Sequence, residues 1–147
     1  MRAGKAQPWY TDVRARIRFE RGVRDAYPAM NVSATGRGMN ARIIYTLMVE
    51  VPEYPPRRVT IALPNWSTPS VASVTADGPT QSRHRYGERE LCIWHPDARP
   101  DERWMPEDGL LALIDHARVH LFKEAYWRET GRWPGPEAPH DPREDGK

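Results

Sequence analysis

From Ala41 to Val51 the chain alternates with a period of two. Ile43, Tyr45, Leu47, Val49 and Val51 share one face, while Arg42, Thr46 and Glu50 lie on the other with Ile44 and Met48. Successive side chains of an extended chain point to opposite sides, so such a run buries one face and predicts a strand. Arg58 to Leu63 repeats the pattern with Val59, Ile61 and Leu63 inward, and Pro64 ends it. Upstream, Met30, Val32 and Ala34 alternate with polar neighbours, and Gly36-Arg37-Gly38 supplies turn residues, which predicts a hairpin. A sheet with one apolar face must be covered by another layer.

The chain offers two helices for that layer. Between Trp9 and Tyr27, Val13, Ile17, Phe19, Val23 and Tyr27 fall mostly at helical spacings. Thr11 or Asp12 suits the cap, and Pro28 stops the helix at the preceding residue. Glu107 to Thr130 carries Leu110, Leu113, Ile114, Ala117, Leu121 and Ala125 in one stripe. Glu107 and Asp108 favour its positive end, and Gly131 suits its exit. Pro52 to Pro56 holds three prolines in five residues and predicts irregular chain. Asn65 to Thr80 reads as a connection with a short strand near Val71 to Val74. The expected class is α+β: an N-terminal helix, an antiparallel meander, a cysteine-bearing segment and a long final helix.

With 147 residues, one domain over 1–131 and a proline-rich, charged tail over 132–147 are expected, with Trp133 able to fold back. The 22 Lys+Arg nearly balance 20 Asp+Glu, which argues against a nucleic-acid partner. One cysteine makes no internal disulfide, which points to a reducing compartment. The chain holds no apolar run of bilayer length and no signal-peptide core, so a cytoplasmic protein with no membrane partner is expected.

Chemistry concentrates between Ser82 and Trp104, where the single cysteine, Cys92, follows a basic turn. Buried free cysteines usually just fill space. A thiolate, however, is a nucleophile, and nearby guanidinium groups lower a thiol's pKa. Arg83, Arg85 and Arg89 supply such groups within one turn-rich segment. His84 stands eight positions before Cys92, and an imidazole can accept a proton or donate to an oxyanion. Tyr86 suits either packing or holding His84. A separate line, His116, His120 and Glu124, repeats every four residues on the final helix. It fits a metal site or a polar boundary beside the apolar stripe.

Three short motifs in order give a family resemblance. Tyr54-Pro55-Pro56-Arg57-Arg58-Val59 resembles the strand-opening motif of ubiquitin-conjugating enzymes, and Gly87 to Ile93, around Leu91-Cys92-Ile93, resembles their glycine turn and cysteine. Trp104-Met105-Pro106 with Leu110 to Ile114 resembles their Trp-Ser-Pro loop and leucine-rich helix. The whole, over about residues 9–127, is similar to bacterial ubiquitin-conjugating-like proteins of cyclic-oligonucleotide antiphage defence.

The resemblance implies a thioester on Cys92, formed with the C terminus of a partner and passed to an amine. It implies catalytic Cys92 and His84, supported by Arg83, Arg85, Tyr86 and Trp104. It also implies as partner a ubiquitin-like protein or a nucleotidyltransferase with a conjugatable C terminus, and a possible separate activating enzyme, without a cofactor. No nucleotide-binding glycine loop is present, so ATP-dependent activation is expected elsewhere. In eukaryotic members a His-Pro-Asn triplet ends where His84 stands, within Ser82-Arg83-His84 here. Their gate acid has no match, and Asp97 and Asp101 are the nearby carboxylates. Two other classes fit: a binding module of the same fold without transfer, and a metal-binding protein built on His116, His120 and Glu124.

Overall fold

The computed structural model describes residues 9–64, 72–82, 85–86, 90–91, 93–94 and 99–135. Helix α1 spans Val13–Ala26, and α2 spans Leu110–Thr130. Between them come β1 (Asn31–Thr35), β2 (Arg42–Val51), β3 (Tyr54–Pro64), β4 (Ser73–Ala76), β5 (Arg85–Tyr86) and β6 (Glu90–Leu91). The six strands form one sheet in the order β1-β2-β3-β4-β6-β5, with every neighbouring pair antiparallel. The expected meander and flanking helices are therefore present.

The alternation in β2 and β3 translates directly into burial. Tyr45, Leu47, Val49 and Val51 of β2 and Val59, Ile61 and Leu63 of β3 are buried, while Met48 on the opposite face stays 49% exposed. Against that inner face α2 lays Leu110, Leu113, Ile114, Ala117 and Leu121, each 0% exposed. Fully burying a Leu or Ile side chain stabilises by roughly 1.5–3 kcal/mol, so this stripe is a large share of what holds the layers together. Gly36 at the β1–β2 turn has φ +74, and a Cβ there would stand 2.1 Å from the Asn40 carbonyl oxygen. Only glycine fits such a turn without moving the backbone.

Three expectations need correction. Tyr54 to Pro56 lies within β3 and not in irregular chain. Val49 pairs with Arg57 and Val51 with Tyr54, so Pro55 and Pro56 together face Glu50. Two residues opposite one is a bulge, a place in a sheet where proline is tolerated.

In α1, the apolar stripe is buried only in part. Val23 is buried and Phe19 and Tyr27 pack against the core, but Val13 and Ile17 are 60% and 41% exposed, and Glu20 is buried in their place. The reason lies across the interface: the Tyr45 hydroxyl donates to Glu20 Oε1 at 2.8 Å, and Arg16 pairs with the same carboxylate at 3.0 Å. A partnered carboxylate can occupy a core position that an unpartnered one cannot. The cap is Asp12, whose carboxylate accepts from the Ala15 N–H at 3.1 Å.

Helix α2 begins at Leu110, three residues later than expected. Pro106–Asp108 forms a separate 3-10 turn, with Asp108 accepting from the Met105 N–H at 2.8 Å. Gly109 then breaks the two apart at φ +88. At the far end Gly131 adopts the left-handed conformation and donates to the Trp127 carbonyl at 2.7 Å, as a C-terminal glycine should.

Candidate active site

The described chain approaches and leaves the cysteine segment on well-packed elements. Strand β6 joins the sheet through Thr75 of β4, opposite Glu90, and pairs on its other side with β5, Arg85 opposite Leu91 and Tyr86 opposite Glu90. Leu91, the residue before Cys92, is 3% exposed and belongs to the core. Ile93 and Trp94, just after it, are half-buried against that core. Cys92, His84, Arg83 and Arg89 lie outside the described residues, as does Asp97. Arg85 and Tyr86 are described as backbone of β5.

Beyond the segment, Trp94 sets its ring edge-on to His116 of α2, with centroids 6.4 Å apart, and the Arg103 guanidinium lies over it at 5.6 Å. Cation and ring attract through the ring's quadrupole, which favours this stacking. Asp101 is exposed and pairs with Arg99 at 3.5 Å. Trp104 is 3% exposed and donates its indole N–H to the Gly109 carbonyl at 2.7 Å. It is a buried wedge between the loop and the start of α2.

The approach is held differently. Arg57 of β3, 8% exposed, donates to the Asp77 carbonyl from both Nε (2.7 Å) and Nη2, and to the Pro79 carbonyl at 3.3 Å. Arg128 of α2 donates to the Gln81 carbonyl at 2.9 Å. A groove of about 560 Å³, lined by Tyr54, Pro55, Arg57, Pro79, Leu121 and Arg128 among others, runs beside these contacts. At its rim the Tyr54 hydroxyl donates to Glu129, and that hydrogen bond pushes the phenol up to about 12.

The His116, His120 and Glu124 line resolves into two different things. Glu124 is 0% exposed and pairs with His120 Nε2 at 3.2 Å and with Arg128 at 3.7 Å. His116 is exposed and contacts Trp94 instead. Trp133 packs edge-on against His120 at 5.6 Å, so the chain does fold back there. Among the described residues no group of three metal-ligating side chains comes together. Sequence reasoning passed over Arg128 and Trp94; the four-residue step from Glu124 to Arg128 was the available signal for the first.

The family model for E2-CBASS, the type II CBASS E2 protein, matches residues 19–141. The chain belongs to the E2-CBASS family. It is thus a CBASS-associated, E2-like protein of a bacterial antiphage system, as the resemblance implied. E2-CBASS membership also supports the general architecture, with its N-terminal helix, antiparallel sheet and C-terminal helix. No curated protein and no solved structure matches the chain. Among the described residues no helix is long and apolar enough to cross a membrane.

Proposed function

We propose that this protein is a conjugating transferase that carries the C-terminal carboxyl of a protein partner as a thioester on Cys92. The observation that carries this reading is the family match over residues 19–141, a span that contains the chain's single cysteine. The Cys92 thiolate attacks the activated C-terminal carbonyl of the partner, and the activating group departs with its electron pair. An acceptor amine then attacks the thioester carbonyl, gives up a proton and expels the thiolate. His84 takes that proton or donates to the oxyanion, and Arg83, Arg85 and Arg89 favour the thiolate. Tyr86 supports His84, and Trp104 holds the loop. The partner is a ubiquitin-like protein or a nucleotidyltransferase of the same system, activated elsewhere, and a reducing cytoplasm keeps the thiol free.

Co-expression with neighbouring gene products and non-reducing mass spectrometry tests this. Wild type should give a thiol-labile adduct at Cys92, and Cys92→Lys a stable amide to the partner's C terminus. Absence of both with a competent partner sinks the transfer reading and leaves a binding module.

A further inference from the structure

A cleft of about 310 Å³ opens between the residues that lead into α1 and the ends of β1, β2 and β3. Sheet order puts it on the β1 side, across the sheet from β6 and the cysteine segment. Its floor is apolar: Ala34, Ile43 and Leu63 come from three adjacent strands, with Ala34 opposite Ile43 and Ile43 opposite Leu63. Val13 stands at the α1 side and is 60% exposed, so an occupant that covers it removes apolar surface from water. Ligand sites start at about 300 Å³, which makes this a place for a small molecule.

The polar groups around that floor are donors, and their charges are all positive. Arg16 and Arg42 line the cleft, and among the described residues no carboxylate does. Asp12, just before α1, is used in capping the helix at Ala15. Arg16 Nε is buried 3.0 Å from Glu20 Oε1 without an aligned hydrogen bond, and that oxygen already accepts from Tyr45. Arg42 is exposed, and its side chain has no ion pair or hydrogen bond among the described residues. Tyr10 adds a phenol that burial keeps protonated by raising its pKa, and Thr35 adds a hydroxyl. A desolvated donor without an acceptor is costly, and an incoming oxyanion satisfies it. Guanidinium groups present paired N–H donors that match carboxylate and phosphate oxygens alike.

We propose that this cleft binds a small organic anion, its oxyanion head group on Arg42 and Arg16 and its compact apolar body on Ala34, Ile43 and Leu63. The site goes beyond the transfer reading and does not depend on Cys92.

Titration of the full chain with anilinonaphthalene sulfonate, a dye that brightens in apolar surroundings, tests this. Wild type should bind one dye per chain saturably and melt at a higher temperature with it, because a ligand of the folded state stabilises that state. Arg42→Ala should weaken binding several-fold, and Arg42→Lys should recover part of it. Ala34→Leu, which fills the floor, should weaken binding as well and probes the site from its apolar side. Val119→Ser removes an exposed apolar side chain of α2 and should bind as wild type. The uncharged dye phenylnaphthylamine should bind more weakly and ignore Arg42→Ala. Displacement of the sulfonate by phenylacetate or by phenyl phosphate then tells a carboxylate head group from a phosphate. The proposal is overturned by the absence of saturable binding, by dye that lowers the melting temperature, or by wild-type affinity in Arg42→Ala and Ala34→Leu. Loss of binding in Val119→Ser, or displacement by neither anion, overturns it too. Failure to form a thioester would bear on Cys92 alone.

Discussion

The Trp104 indole N–H donates to the carbonyl of Gly109 at 2.7 Å, tying the loop after the cysteine segment to the residue that launches α2. Gly109 also carries φ +88 and ψ 168, and a Cβ added there would stand 3.1 Å from the Phe19 ring of α1. One residue thus closes a loop and starts a helix where a side chain would crowd α1. Trp104→Phe removes the shorter of two hydrogen bonds on the Gly109 carbonyl, which keeps the Leu113 N–H at 3.4 Å, and should cost about 1 kcal/mol. Gly109→Ala should cost ~1–3 kcal/mol, from backbone strain. Thermal melting of both variants checks this, and melting temperatures equal to wild type would show the junction to be slack.

Alkaline stability should depend on Tyr45. Burial first, then the hydrogen bond to Glu20 and its negative charge, push the phenol well above its ordinary value. Below about pH 10 the tyrosine is protonated in both states, and its contribution is complete. Above that the unfolded chain releases the proton and the folded chain keeps it, so stability falls as pH rises. Tyr10 and Tyr27, raised mainly by burial, act with the same sign. Tyr45→Phe should lose about 1.5–3 kcal/mol at neutral pH and show a shallower decline above pH 10. Urea unfolding at a series of pH values measures both.

Glu124→Ala leaves a fully buried void and removes the carboxylate that pairs with both His120 and Arg128. Removing one partner of a buried ion pair costs about 3–5 kcal/mol. Chemical denaturation should place this variant far below Glu129→Ala, since Glu129 is exposed. Equal midpoints for the two would contradict a buried network.

If His84 acts on the transferring carbonyl, His84→Ala should reduce thioester discharge by about 10²-fold or more. Its two roles separate by pH. A general base gives a rate that rises through the imidazole pKa and flattens in the variant, while an oxyanion donor lowers the rate at every pH. Single-turnover discharge to an amine, followed on gels, reads this directly.

Much of the frame was legible because it depends on neighbours along the chain. The alternation of Ile43 to Val51 and the stripe from Leu110 to Leu121 each reflect a local geometry that one surface must satisfy, and both reappear as buried faces. The ordered motifs at Tyr54, Cys92 and Trp104 pointed to the family that the match over residues 19–141 shows. Other features were opaque. Glu20 is buried because Tyr45, 25 residues away, offers a hydroxyl. Pro55 and Pro56 sit in a strand at a register shift, set by pairing with a strand that precedes them in the chain.

What the amino-acid sequence determined by itself was periodicity, turn chemistry and kinship: the two long strands, the two helices, and the cysteine that is the candidate. Tertiary structure alone decided which polar groups are buried together. In the sequence, His120 and Glu124 fit a metal site with His116 or a polar boundary beside the stripe; the fold pairs them with each other and sets Arg128 and Trp133 against them. A polar side chain's role follows from its desolvation and its partners, and those are supplied by residues distant in the chain.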